Sequence, residues 1–194
     1  MADLAPCKRG QGSTLKALFT GFEPFGQHAF NPSSVVAEEA AARIGAAFNI
    51  LPVDFHTACR AGEGSAGFDL VVHVGLAAAT SWVRLERFAH NLRMVGDHPG
   101  QENDPDSVAR LSPDGPLALE TRFPIGELRR RLSAGWDVRH SRDAGTYVCN
   151  AIYYWSLKNA PRTSVLFIHV PIWERAEAQA FGRVLGTATA ALMG

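Results

Sequence analysis

The chain has 194 residues, with 19 Lys and Arg against 19 Asp and Glu, so its formal charge is zero. Neutrality argues against a nucleic-acid binder or a protein that coats anionic membranes, and no apolar run approaches the roughly 18 residues that a membrane span needs. A composition of 46% hydrophobic and 20% charged residues excludes a disordered chain and suits a soluble fold that buries its core without disulfide staples.

Residues 1–14 (MADLAPCKRGQGST) are polar, Gly-rich and aperiodic. They read as a disordered leader with no apolar signal-peptide core, ahead of a single α/β domain over 15–194. Residues 16–20 (KALFT) are a short apolar run that predicts a buried strand. Residues 21–32 (GFEPFGQHAFNP) hold two glycines and two prolines and predict a loop. Ser33 or Ser34 can cap a helix over 35–47, and a second strand follows at 48–53. Residues 56–67 contain three glycines, which leaves them weakly helical at most. Residues 70–74 (LVVHV) predict a central strand. Residues 83–91 (VRLERFAHN) alternate apolar and polar side chains, as a half-buried strand does. Residues 95–116, rich in Gly, Asp, Pro, Asn and Ser, predict a long loop of the kind that often carries function. A helix over 125–134 ends in basic residues, which suits its dipole. Another helix is expected over 146–160, then a strand over 164–170 (SVLFIHV) ended by Pro171, then an amphipathic helix over 174–192.

Strands alternating with helices imply an α/β fold with a parallel or mixed sheet covered on both faces. The site of such a fold lies outside the carboxyl ends of its strands. That rule points to residues 21–31, to those after Val74, and to His169.

The spacing of Gly21 and Gly26 resembles a phosphate cradle, but Gln27-His28 stands where Lys-Ser/Thr is needed and Pro24 removes a donor. What remains is Phe22 and Phe25 on a Gly/Pro loop: either two core aromatics or a grip on a flat apolar ring. Three cysteines, Cys7, Cys59 and Cys149, are too few and too scattered for a disulfide framework or a paired-Cys zinc site. An odd count without a secretion signal points to a reducing cytoplasm. Cys149, in Ala144-Gly145-Thr146-Tyr147-Val148-Cys149-Asn150, falls in the first turn of a helix, whose dipole lowers a thiol pKa; the plain alternative is a buried structural cysteine. Cys59 has no activating context. His169, near the end of an apolar strand, is either a core residue or a base at the active edge. His73, inside LVVHVG, reads as structural, while His56, His90, His98 and His140 sit in polar contexts and read as solvated. No His or Cys pair shows zinc-ligand spacing. Alternation places Val83, Leu85 and Arg87 on one face, and Arg84, Glu86 and Phe88 on the other. Glu86 is then either a surface carboxylate paired with Arg84 or Arg87, or the acid that orients an imidazole.

Four segments resemble the pyroglutamyl peptidase type I family of cysteine peptidases, also called pyrrolidone-carboxylate peptidases. They are residues 20–26 with 31–33 (TGFEPFG…NPS), 73–77 (HVGLA) followed by 85–87 (LER), 144–150 (AGTYVCN) and 167–171 (FIHVP). They occur in the family's order and span nearly the whole chain. The resemblance implies a three-layer α/β/α sandwich with a mixed, mostly parallel sheet, no metal or cofactor, a cytoplasmic location and tetramers. It implies that Cys149 is the nucleophile, His169 the base and acid, and Glu86 the residue that orients His169. The substrates implied are peptides with N-terminal pyroglutamate, cleaved through a thioester. Phe22 and Phe25 would pack on the pyroglutamyl ring, with Asn31 and Val148 in the pocket wall. Some members have Gln at Leu76, and Ala77-Ala78-Ala79 replaces a glycine-rich stretch. Residues 92–100 depart from the family's Arg-Ile-Pro-Asp-Asn segment, leaving Arg93 to stand for its arginine. Two other readings share these residues: a cysteine hydrolase of another small amide or lactam, and a catalytically dead binding protein.

Overall fold

The apolar runs become the centre of a six-stranded sheet in the computed structural model, which describes residues 15–95 and 108–194. The chain runs through β1 (Ala17–Phe22), α1 (Pro32–Ile44), β2 (Ala47–Leu51), α2 (Phe55–Glu63), a 3-10 turn (Gly64–Gly67) and β3 (Leu70–Leu76). It continues through β4 (Val83–Glu86), β5 (Phe88–His90), β6 (Arg93–Met94), β7 (Val108–Ala109) and β8 (Ala118–Glu120). It ends in α3 (Ile125–Leu132), β9 (Val138–Ser141), α4 (Val148–Asn159), β10 (Ser164–Val170) and α5 (Arg175–Ala190).

The main sheet has the order β2-β1-β3-β10-β4-β9. Its pairs are parallel except β10 with β4, so the two-strand unit β4–β9 runs against the other four strands. The α/β class and the mixed, mostly parallel sheet follow the expectation. Two apolar cores flank the sheet. Leu166, Ile168 and Val170 of β10, with Val83 and Leu85 of β4, pack with α1, α3 and α5. Val165 and Phe167 of β10, with Val71 of β3 and Phe22 of β1, pack with α2 and α4. Among the described residues, no helix is long and apolar enough to cross a membrane.

Several local expectations need correction. Gly21 and Phe22 belong to β1 rather than to the loop. Helix α1 starts at Pro32, whose missing N–H costs nothing in the first turn. Its cap is Asn31, whose Oδ1 accepts from the Ser33 N–H at 3.1 Å, not Ser33 or Ser34. It ends at Gly45, in the left-handed conformation at φ 67°. The weak segment 56–67 does hold a helix, capped by Asp54. Gly62, which weakens its pattern, is there for contact: a Cβ would lie 2.7 Å from the Ile152 carbonyl of α4. The single strand expected over 83–91 divides at Arg87, so that β4 joins the main sheet and β5 pairs with β8. Strands β8 and β9 were not expected at all, being short and largely exposed. Part of the predicted loop 95–116 is strand, since Val108–Ala109 pairs with Arg93–Met94. The proposed leader 1–14 with Cys7, and residues 96–107 with His98, lie outside the described residues.

His73 has the structural role read for it. It is buried, with Nδ1 2.8 Å from the Thr20 hydroxyl and Nε2 2.8 Å from the Ser156 hydroxyl, tying β1, β3 and α4 together. His56 and His140 are exposed as expected, but His90 is half-buried, with Nε2 2.9 Å from the Arg142 carbonyl. Burial holds the His73 ring neutral down to about pH 3, against 6.5 when free. The unfolded chain therefore takes up a proton first, so this contribution is complete above pH 6.5 and is lost as pH falls from there toward 3. The slope is about 1.4 kcal/mol per pH unit. Chemical denaturation at pH 7 and pH 5 is expected to show this loss, and His73→Gln, which cannot titrate, to reduce it.

Candidate active site

The site is set by strand register. His169 of β10 lies opposite Gly75 of β3 and opposite Arg84 of antiparallel β4, while Phe167 lies opposite Glu86. Alternate residues of a strand share a face. Phe167 and His169, Arg84 and Glu86, and Gly75 therefore all turn toward the α2 and α4 layer, and their neighbours Ile168, Leu85 and Val74 enter the opposite core.

On that face Glu86 is fully buried, and its Oε1 lies 2.8 Å from His169 Nδ1. An ionised carboxylate only accepts, so Nδ1–H donates and Nε2 is left to take up a proton. Arg84 Nε forms an ion pair with the same Oε1 at 3.1 Å. Glu86 is thus not the surface carboxylate of the plain reading. It keeps Arg84 as a partner, whereas Arg87 pairs with Glu120 at 2.6 Å.

Cys149 is the second residue of α4. No side chain caps this helix; Tyr147 holds the N-cap position in extended conformation. Gly145, at φ 82°, turns the chain into it. Asn150 anchors the first turn: its Oδ1 accepts from the His90 N–H at 2.8 Å, and its Nδ2 donates to the carbonyls of His90 and Leu92 at 2.8 and 2.7 Å. Cys149 Sγ rests over Gly75, where a Cβ would stand 2.9 Å from Sγ and 2.9 Å from Phe167 Cζ.

The helix start does not win at this thiol. Burial pushes it up to about 12, and the Glu86 charge adds to the rise; the backbone N–H and Arg84 pull down by less. This corrects the expected lowered pKa. The thiol is neutral until a base takes its proton. Cys59, away from this cleft, is also raised, mainly by burial.

Cys149 and His169 line one cavity of about 140 Å³. Phe22, Phe25, Asn31 and Val148, which the family resemblance assigns to the pocket, line it with them. Val53, Leu76, Ala144 and Tyr147 complete the wall and were not assigned there. Val53 follows β2 at the carboxyl end of the sheet, the edge that already directed attention to the other strands. No Asp, Glu, Lys or Arg is among these residues. Asn31 is buried; its Oδ1 caps α1 and its Nδ2 donates to the Glu23 carbonyl at 3.0 Å. Arg93 stands behind the wall rather than in it, over the Phe55 ring, which packs edge-on against Tyr147. A thiol, an imidazole and a carboxylate on its Nδ1 have the parts needed to open an amide by nucleophilic attack.

The sequence model of the pyroglutamyl peptidase family matches residues 15–184. The chain belongs to the pyroglutamyl peptidase family. Pyrrolidone-carboxylate peptidase of Pyrococcus furiosus is 34% identical over 172 residues, 81% of each chain. Pyroglutamyl-peptidase 1 of Rattus norvegicus is 32% identical over 182 residues, 86% of this chain and 84% of that one. Among solved structures, pyroglutamyl peptidase I from Bacillus amyloliquefaciens superposes with a TM-score of 0.77 at 25% identity, covering 91% of this chain and 97% of that one. Pyrrolidone carboxyl peptidase from Thermus thermophilus gives 0.76 at 32% identity, covering 89% and 99%. In this member of the pyroglutamyl peptidase family, Leu76, noted as Gln in some members, is an apolar part of the cavity wall.

Gly75→Ala is expected to force Cys149 or Phe167 aside. Overpacking of this kind costs about 1–3 kcal/mol. The expected result is a lower denaturation midpoint together with a changed rate of Cys149 alkylation; an unchanged midpoint would mean that the site has room to spare.

Proposed function

We propose that the protein is a cysteine omega-peptidase that removes N-terminal pyroglutamate from peptides, with Cys149 as nucleophile, His169 as base and acid, and Glu86 as the residue that orients His169. The 2.8 Å contact of Glu86 Oε1 with His169 Nδ1, behind a cavity shared by His169 and Cys149, carries this reading.

Because burial keeps the Cys149 thiol neutral, attack and proton transfer go together. His169 Nε2 takes the proton as sulfur adds to the carbonyl that joins pyroglutamate to the next residue. Glu86 stabilises the imidazolium so formed. The uncapped start of α4 offers backbone N–H groups to the developing oxyanion; a donor in that role is worth roughly 3–4 kcal/mol in other enzymes. His169 then protonates the leaving amine, the thioester remains on Cys149, and a water activated by His169 releases pyroglutamate.

The cavity accounts for the choice of ring. Its volume, about 140 Å³, is close to that of an apolar cavity of about 150 Å³ that accepts benzene, so one small ring fits between Phe22, Phe25 and Val148. An ordinary N-terminus carries an ammonium group, and a wall with no carboxylate among its described residues leaves it unpaired at a desolvation cost of several kcal/mol. The lactam nitrogen of pyroglutamate is neutral. Asn31, after its two bonds to the chain, keeps one N–H and one lone pair, the complement of a lactam. A nucleophilic thiol needs a reducing compartment, which favours the cytoplasm.

Hydrolysis of pyroglutamyl-aminomethylcoumarin, set beside other acyl-aminomethylcoumarins, tests the proposal. Preferential release from the pyroglutamyl compound is expected, and cleavage of a different acyl group alone would refute it. Cys149→Ser is expected to lower kcat by about a thousandfold or more, with Cys59→Ser near the wild-type rate. Equal loss in both variants would overturn the roles.

A further inference from the structure

We propose that Arg84 is a positioning residue for the Glu86–His169 pair: it sets a fixed cation against the Glu86 carboxylate beside His169 and ties it to the loop that delivers Cys149. The proposal rests on the roles given above to Cys149, His169 and Glu86.

The distribution of contacts on the carboxylate carries it. Glu86 Oε1 receives both His169 Nδ1 at 2.8 Å and the Arg84 guanidinium at 3.1 Å. Glu86 Oε2 is buried with no hydrogen-bond partner among the described residues. A buried carboxylate with one oxygen left without a donor needs a cation beside it, and the Arg84 guanidinium is that cation. It also balances the activated site. Thiolate, imidazolium, carboxylate and guanidinium cancel in charge; without Arg84 the first three leave one buried negative charge, which opposes thiolate formation.

The other arm of the same side chain reaches the nucleophile's approach. Arg84 Nη2 donates to the Ser141 hydroxyl at 2.8 Å and to the Asp143 carbonyl. Asp143 Oδ1 accepts from the Gly145 N–H at 2.8 Å, at the turn that leads into α4 and Cys149. One guanidinium therefore spans from the acid to the segment that places the thiol. Arg84 can do this because it shares a strand face with Glu86 two residues on, and because parallel pairing sets Glu86 opposite Ser141 of β9.

Other ionisable groups face this centre. His169 comes from β10, Cys149 and Tyr153 from α4. The Tyr153 hydroxyl donates to the Glu86 carbonyl at 2.9 Å, and burial raises its pKa, so it stays protonated. Glu120 of β8 is held by Arg87.

The test compares wild type, Arg84→Gln and Arg84→Lys as full chains. The rate of Cys149 alkylation by iodoacetamide is followed against pH by peptide mass spectrometry, alongside kcat and KM on pyroglutamyl-aminomethylcoumarin. Losing the cation raises the Cys149 pKa, so the Gln variant is expected to move the acid limb to higher pH by about half a unit or more. Its kcat is expected to fall about tenfold, with KM within about threefold. Lysine restores the charge without the fork and is expected to return the limb to its wild-type position with only part of kcat. An unmoved limb in the Gln variant, or equal loss in both variants at a wild-type limb, overturns the proposal. If the Gln variant does not fold, the Lys variant decides: a moved limb or an unchanged kcat overturns it. Alkylation requires no peptide, so a wild-type protein inert toward pyroglutamyl substrates would refute the functional reading while leaving this arm intact.

Discussion

A carboxylate buried beneath an imidazole is the constraint on which the site depends. Glu86 has no exposed surface, and a charge so placed is tolerated only with partners at hydrogen-bonding distance. Those partners come from the pairing of β4 with β10, the only antiparallel pair in the main sheet. With Phe167 opposite Glu86 and His169 opposite Arg84, acid and imidazole meet diagonally on one face. A slip of one residue would turn Glu86 and Arg84 into the opposite apolar core, between α1 and α5. Register, fold stability and chemistry are thus one requirement.

The same face explains why the thiol needs its neighbours. Gly75 lets Sγ sit directly over β3, half-buried and packed against the sheet. Exclusion of water raises the thiol pKa and strengthens every nearby charge interaction. A cysteine on an exposed helix start would be acidified by the dipole alone; here desolvation outweighs the helix start. The cavity beside it is walled by Phe22, Phe25, Val148 and Tyr147, with no Asp, Glu, Lys or Arg among its described lining residues.

Much of this arrangement is legible in the chain. The strands at 70–76 and 164–170 are long apolar runs, and a buried strand has little alternative to the centre of a sheet. The placement of Phe22, Phe25, Asn31, Val148, Cys149 and His169 on one cavity follows from the carboxyl-end rule and from the motifs of the family. The division of 83–91 into two sheets was not legible. Alternation runs unbroken through Arg87, and only the pairing of Phe88–His90 with Ala118–Glu120 separates them. Nor was β9, whose exposed Arg139 and His140 resemble a loop, although its pairing holds β4 and thereby Glu86 in place. The cap of α1 was misplaced by two or three residues because serine and asparagine compete for that role with similar energies.

Local pattern in the sequence settled the long apolar strands and most of the helices, and which thiol, imidazole and carboxylate were candidates for chemistry. These depend on near neighbours and on a fixed period. Tertiary structure alone decided that Glu86 is buried rather than paired at the surface, that Arg84 and not Arg87 stands beside it, and that burial overrides the helix start at Cys149. The first and last of these are questions of distance between segments roughly 60 to 80 residues apart in the chain, and the second of which way two near neighbours turn. Ionisation depends on how much water and charge lie nearby, and only the folded packing of β4, β10 and α4 fixes that.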